Sequence, residues 1–491
     1  MASAAVPFAS VVQIQAAREA AAVAISHDKG VLSYSQLAAQ IDDAASRLQH
    51  EWGVQAGDRI AWLGLNDPAQ IVLLFALARI GAIFLPLNFR LAPPEWGAQL
   101  RHCTPRMVVH DAAWADAARD LAQRHGIAAR TSAEAIAPGD FAGAVDRSKP
   151  DALVLLVFTS GTTGSPKAAV HTQANLLANM RIAAQAQRIT REDRVLAMLP
   201  LFHVGGLCIQ TLPALYSGAH VILQPRFVPD AALEAIEQQR PTLTLQVPVT
   251  MKALIEHPRW DSTDLSSLRA VWAGSNTIPA RLIEAFHARG LPVCNVYGST
   301  ETGPFSIALG PEDAMRKAGS CGWPAADVEV RLDAVRDGAG EVLVRAPNVA
   351  QRYWPDDPSC DADGWFHTGD LARQDADGSY TIVGRAKELI ISGGENILPA
   401  EIEDALSQHA NVLESVAFGM PDARWGEVVA VAVVAWPGVR IDESELRAHL
   451  EGRIARFKIP QHWMFVDSLP RTALGKVQRG ELARRASLHA P

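Results

Sequence analysis

Between residues 159 and 167 the chain reads Thr159-Ser160-Gly161-Thr162-Thr163-Gly164-Ser165-Pro166-Lys167, directly after the apolar run DALVLLVF (151–158). Gly161 and Gly164 let backbone N–H groups turn inward with no β-carbon in the way. The hydroxyls add donors and Lys167 adds a cation, a set suited to a polyphosphate. A polar linker can share this composition, but it has no need to follow a buried strand or to close on Pro-Lys. The loop is not a Walker A loop, which spaces its glycines more widely and ends Gly-Lys-Ser or Gly-Lys-Thr; here Lys167 is followed by Ala168. It contains no Gly-x-Gly-x-x-Gly either, so dinucleotide binding has no support there.

Such a loop must be carried by a frame. Up to about residue 150 short apolar runs such as DRIAWLGL (58–65) alternate with helical stretches such as DPAQIVLLFALARIGA (67–82), the rhythm of α/β layers. Past residue 385 the chain restarts as a small unit. Its parts are a helix from Pro399 (PAEIEDALSQH), a buried strand EVVAVAVVAW (427–436), and a helix ESELRAHLEGRIARF with Leu446, Leu450 and Ile454 at four-residue spacing. The stretch before it, 365–388, carries charge and glycine without helical periodicity, as a domain junction does. DADG occurs at 361–364 and again at 375–378; without the further ligands of a calcium loop these read as two Asp-Gly turns.

The chain has 491 residues, room for two to four domains at roughly 100 to 200 residues each. With 48% hydrophobic and 20% charged residues it is not a disordered protein. The net charge of −8 argues against a broad basic surface for nucleic acid or anionic lipid, so any bound phosphate must be held locally. Cys103, Cys208, Cys294, Cys321 and Cys360 are scattered and never form Cys-x-x-Cys, which points to neither disulfides nor zinc and to a reducing compartment. The Ala-rich N-terminus lacks the basic region of a signal peptide and suits a surface helix. The apolar stretch Ile71 to Leu87 is broken by Arg79 and falls short of a membrane span. A soluble cytoplasmic protein is expected.

Three further segments matter in combination with the loop: Tyr297-Gly298-Ser299-Thr300-Glu301, WFHTGD (365–370), and GRAKELIISGGENILPAEIE (384–403). Together, and in this order, they resemble the adenylate-forming superfamily of acyl-CoA synthetases, nonribosomal adenylation domains and luciferases. The resemblance runs from LSYSQL (32–37) to PRTALGKVQR (470–479). It implies a large N-terminal α/β domain of several subdomains, 1–386, binding nucleotide and acid, and a small mobile α+β domain, 387–491. It also implies two steps: a carboxylate attacks the α-phosphate of ATP and expels pyrophosphate, and a thiol then attacks the acyl-adenylate.

The resemblance assigns roles residue by residue. Ser160, Thr162, Thr163 and Lys167 would hold the β- and γ-phosphates in a nucleotide-binding loop that includes Thr159, Gly161 and Gly164, with Thr300 on the α-phosphate and Glu301 on a Mg²⁺ ion. Tyr297 would stack on adenine, with Asn295, Gly298, Ser299 and the Gly274-Ser275-Asn276 segment around it, and Asp370 and Arg385 would hold the ribose. Lys476 would reach the site during adenylation and bridge carboxylate and α-phosphate, stabilising charge that builds in the transition state. Lys387 is similar in position to the family's hinge, and Ser392-Gly393-Gly394 would line the tunnel for the pantetheine arm of CoA. Pro470-x4-Gly475-Lys476 resembles the pattern that bacterial acetyltransferases modify, which would make such an enzyme a partner acting on Lys476. A homodimer is among the assemblies open to such a chain.

The acyl pocket would be walled by Phe202-His203-Val204-Gly205-Gly206, Gln246-Val247-Pro248, Ala273-Gly274-Ser275 and the turn from Tyr297-Gly298 to Gly303-Pro304, with glycines leaving room for the acid. His203 reads two ways, as an aromatic gate beside the carboxylate or as a core histidine. These segments hold no arginine to pair with a second carboxylate, which disfavours diacids. The surrounding residues look most like bacterial fatty-acyl and hydroxycinnamoyl (feruloyl-type) CoA ligases, so a medium fatty or an aromatic monocarboxylic acid is expected. Two other readings share the motifs: an adenylating enzyme that loads a carrier protein, and a non-catalytic binding protein of the same fold. A luciferase-type oxygenase shares them too.

Overall fold

The computed structural model describes residues 7–159, 167–274, 278–336, 338–393, 395–471 and 477–489. By contacts the chain divides into two compact units, Met1–Arg331 with Leu343–His367, and Leu332–Val342 with Thr368–Pro491. This division measures compactness, whereas the expected boundary at residue 387 is one of movement.

The first unit holds two mixed sheets. In one, strands Arg194–Ala197, Leu243–Gln246, Ala270–Gly274 and Val293–Tyr297 lie side by side and parallel, with short antiparallel strands at the edges. In the other, Arg59–Leu63, Ile83–Pro86 and Leu153–Thr159 are parallel neighbours, and Lys167–Thr172, Arg352–Tyr353 and Asp357–Pro358 add on in antiparallel fashion. Three of the parallel strands therefore deliver the segments singled out in the sequence at their carboxyl ends, where ligands of α/β sheets bind: Thr159, Gly274 and Tyr297.

The helix expected from residue 67 spans Pro68–Ile80, with the Asp67 side chain accepting from the Ala69 N–H at 2.8 Å and Gly81 ending it at φ 73°. Every residue in it but Arg79 is buried. That all-round burial, and not a bilayer, explains its apolar sequence. Among the described residues no helix is long and apolar enough to cross a membrane. The expected N-terminal surface helix, Val11–Arg18, is docked on one face: Val11 and Val12 are buried, and Phe8 just before it stacks on Phe75 with ring centroids 4.8 Å apart.

The second unit carries a mixed sheet in the order Glu395–Ile397, Ile390–Ser392, Gly426–Ala435, Val412–Asp422, with His462–Phe465 pairing Gly426–Ala435 as well. Val429, Val431 and Val433 face one apolar core with Ile402 and Leu406, while Val428, Ala430, Ala432 and Val434 face a second with Phe418 and Leu482. A strand covered on both faces reads as a continuous apolar run. The helix expected over ESELRAHLEGRIARF stops early, as Glu443–Leu450, because Gly452 takes a left-handed φ of 77°. Ile454 lies beyond the helix and still packs against the same core as Leu446 and Leu450.

Both DADG segments are turns. Gly364 and Gly378 donate to the carbonyls of Asp361 and Asp375 at 3.0 and 2.9 Å, with φ of 81° and 83°. All five cysteines are free, four of them buried and Cys360 half-buried.

Candidate active site

The strand Leu153–Thr159 and the antiparallel strand Lys167–Thr172 are in register at Thr159 and Lys167, so the ends of the phosphate loop are clamped side by side. Thr159 Oγ1 donates to the Lys167 carbonyl at 3.4 Å. Lys167 Nζ forms an ion pair with Asp357 at 2.7 Å and lies 4.9 Å from the ring centre of Tyr353. Ser160, Gly161, Thr162, Thr163 and Gly164 lie outside the described residues, as do Ser275, Asn276, Gly394 and Lys476.

After the strand Val293–Tyr297 the chain enters a tight turn. The Ser299 N–H donates to Thr302 Oγ1 at 2.8 Å and the Thr302 N–H to the Ser299 carbonyl at 3.2 Å. Thr300 and Glu301 are each 9% exposed, buried and not in open solvent. The Tyr353 hydroxyl donates to Glu301 Oε1 at 2.9 Å, and the Ala350 N–H donates to the Glu301 carbonyl at 2.7 Å. Asn348, fully buried, donates to the carbonyls of Thr302 and Phe305 at 2.8 and 3.0 Å.

Among the described residues no three His, Cys, Asp or Glu side chains gather as a metal cage. A single, largely buried carboxylate, Glu301, fits a hard cation that takes its remaining ligands from phosphate oxygens and water, as Mg²⁺ does in nucleotide sites. Asn295 Nδ2 donates to the Ser320 carbonyl at 3.1 Å, which fixes its amide beside Tyr297.

The glycines of the expected acyl pocket have a different reason from the one expected. A β-carbon on Gly298 would stand 1.8 Å from the Pro304 carbonyl oxygen, on Gly274 2.5 Å from that of Val296, and on Gly206 2.3 Å from that of Pro200. Backbone packs against backbone there; the glycines close space and do not open it. Gly303 is a turn glycine at φ 95°, and Pro304 is buried. Ala273 packs into the apolar core with Val271 and Val293, and Val247 is half-buried ahead of the helix Pro248–Ile255. Val204 and Gly205 are buried in the turn after His203. His203 is half-buried, and its Nδ1 accepts from the Gly205 N–H at 3.2 Å, so the neutral ring carries its proton on Nε2.

In the second unit Asp370 and Arg385 face each other across a strand pair, Arg385 Nε to Asp370 Oδ1 at 2.7 Å. The Asp370 N–H donates to Thr368 Oγ1 at 3.1 Å. Lys387 sits in the exposed one-turn helix Ala386–Glu388. Next to it Glu388 pairs with Arg479 at 3.4 Å, and Arg479 pairs with Glu403 at 2.7 Å. Burial pushes the Glu403 carboxyl up to about 7, against the pull of Arg479 and the Ala417 N–H. Gly393, at φ 60°, donates its N–H to the Trp425 carbonyl at 2.7 Å, and a β-carbon there would lie 2.8 Å from the Trp425 ring. Ser392 pairs with Gly426 in the adjoining strand.

Sequence reasoning missed Tyr353, Asp357, Asn348 and Trp425. Each lies in a turn-rich segment where one polar or aromatic residue carries no periodic signal, and only the contacts single it out.

A family model described as AMP-binding enzyme matches residues 12–354, and one described as AMP-binding enzyme C-terminal domain matches residues 401–476. The chain is 44% identical over 472 residues to an indoleacetate–CoA ligase of Aromatoleum aromaticum, covering 92% of each. It is 40% identical over 480 residues to a feruloyl-CoA synthase of an Amycolatopsis species, covering 94% of this chain and 96% of that one. The structure of an o-succinylbenzoate CoA synthetase from Bacillus subtilis in complex with ATP and magnesium ion superposes with a TM-score of 0.86 at 29% identity, covering 96% and 99% of the two chains.

Proposed function

The chain belongs to the AMP-binding enzyme family and is an AMP-forming acid–thiol ligase that uses ATP, Mg²⁺ and CoA; from this premise we propose that its acid is an aromatic monocarboxylic acid of the arylacetate or hydroxycinnamate kind. The observation that carries this choice is the identity, 44% and 40% along nearly the whole chain, to ligases named for indoleacetate and ferulate. The absence of arginine from the wall segments agrees with a single carboxylate.

In the first step the acid's carboxylate oxygen bonds to the α-phosphorus of ATP while the bond to pyrophosphate breaks. Two anions must meet, so the chain's task is preorganised positive charge. Lys167 and the loop from Thr159 to Gly164 would hold the β- and γ-phosphates, and Thr300 would hydrogen-bond the α-phosphate. Glu301 would hold Mg²⁺, which when bound spreads the phosphate charge. Lys476 would bridge the carboxylate and the α-phosphate. Tyr297 would supply the adenine platform, and Asp370 with Arg385 the ribose contacts, so that their present ion pair exchanges for sugar hydroxyls.

In the second step the CoA sulfur bonds to the acyl carbon and AMP leaves with the bridging oxygen. A pivot at Lys387 would retire Lys476 and bring Ser392, Gly393 and Gly394 to the pantetheine arm, with Trp425 behind Gly393. A lysine acetyltransferase acting on Lys476 would delete the charge of the first step alone; adenylation by the acetylated protein at the unmodified rate would refute this.

The test of the acid is pyrophosphate release with indole-3-acetate, phenylacetate, ferulate, octanoate and decanoate, with CoA present and absent. We expect kcat/KM at least about tenfold higher for an aromatic acid than for either fatty acid. Preference for a fatty acid would overturn the proposal.

A further inference from the structure

We propose that Tyr353 is a positioning residue for adenylation, setting the carboxylate of Glu301 and tying it to the lysine of the phosphate loop. The inference rests on the reading of Glu301 as the metal ligand.

The hydroxyl of Tyr353 donates to Glu301 Oε1 at 2.9 Å, which leaves Oε2 for a cation and fixes the torsions of the side chain. The same residue pairs with Ala169 on the strand that leaves the phosphate loop, and its ring lies 4.9 Å from Lys167 Nζ. One side chain thus touches both the carboxylate and the ammonium that the first step requires.

The segment carrying Tyr353 is itself fixed. Asn175 Nδ2, at the start of the helix that follows the phosphate-loop strands, donates to the carbonyls of Pro347 and Val349 at 2.9 and 3.1 Å. Asn348 and the Ala350 N–H then grip the turn around Glu301 itself. Such a second layer holds a metal carboxylate in place before the metal arrives.

The experiment is calorimetric binding of ATP to the full chain without acid, once with Mg²⁺ and once with EDTA, for the wild type, Tyr353→Phe, Glu301→Gln and the double variant. Tyr353→Phe is expected to weaken Mg·ATP binding about five- to twentyfold and to leave metal-free ATP binding within about twofold. In the Glu301→Gln background it should add less than about twofold, because no metal carboxylate remains to be set.

Wild-type Mg·ATP binding by Tyr353→Phe, or an equal loss with and without metal, overturns the proposal. Wild-type Mg·ATP binding by Glu301→Gln instead overturns the metal reading, and the proposal with it. If Tyr353→Phe does not fold, 3-fluorotyrosine at 353 keeps the shape and strengthens the donor. It should shift Mg·ATP affinity by at least about twofold only when Glu301 is present, and no shift overturns the proposal.

Discussion

The carbonyl oxygen of Pro304 stands 1.8 Å from the place a β-carbon on Gly298 would occupy, so two strands of backbone meet at the mouth of the Tyr297–Glu301 turn with no room for a methyl group. Gly298→Ala is therefore expected to destabilise the protein by at least about 2 kcal/mol and to depress turnover of every acid alike. Thermal melting together with a panel of acids checks this. A variant of unchanged stability with only a narrowed acid range would restore the reading of Gly298 as open pocket wall.

Lys167 is held by Asp357 at 2.7 Å, and both side chains are about half exposed at 43% and 56%. An exposed pair of this kind is worth at most about 1 kcal/mol. If the ammonium must leave Asp357 to meet phosphate, Asp357→Asn should lower the KM for ATP by no more than about fivefold and steepen its dependence on salt, because screening of the lone ammonium is no longer offset by loosening of the pair. Steady-state kinetics at two ionic strengths checks this, and a raised KM would show that Asp357 instead aims the lysine.

The two half reactions separate the lysines of the C-terminal region. Lys476→Ala is expected to abolish adenylate formation while thioester formation from supplied acyl-adenylate survives; equal loss of both would remove Lys476 from its role. Lys387→Pro, which stiffens φ and removes a backbone donor at the pivot, is expected to slow thiolation more than adenylation. If both steps run at the wild-type rate, the pivot lies elsewhere.

His171, fully buried on the strand after the phosphate loop, has its acidity set by burial, which pulls it from 6.5 down to about 4 against a smaller opposing contribution from the Thr300 backbone. The folded pKa lies below the unfolded one, so the unfolded chain binds the proton first. Stability is full above about pH 6.5 and falls as the pH drops toward 4, by up to about 3 kcal/mol. His171→Gln should flatten that part of the melting-temperature profile. His220, lowered to about 4 chiefly by burial, adds a second slope in the same window, so the double variant should be flatter still.

What was legible in the sequence was whatever had a period or a fixed spacing. The helix Pro68–Ile80 and the strand Leu153–Thr159 lie within a few residues of where their apolar runs place them. The early end of the helix at Leu450 was hidden, because the leucine spacing runs on through Ile454 while a single left-handed glycine stops the backbone. Residues with a proposed chemical role stood out in the sequence when they sat in a motif, as Glu301 does. Their supports did not, since Tyr353 reaches Glu301 across 52 positions and Asn348 reaches Asn179 across 169. The glycines misled for a related reason: a missing side chain looks the same in a string of letters whether it makes space for a ligand or for another stretch of main chain.

The free cysteines bear on chemical self-protection. An acyl-adenylate is a mixed anhydride that acylates any thiolate it meets. Burial pushes the Cys103 and Cys294 thiols up to about 12, and the Cys208 and Cys360 thiols upward as well. These four sulfurs stay protonated at neutral pH and compete poorly with an incoming thiol. At these four positions an enzyme that makes an acylating agent at every turnover offers its own product a poor target, and a thiol delivered from solution is the better acceptor.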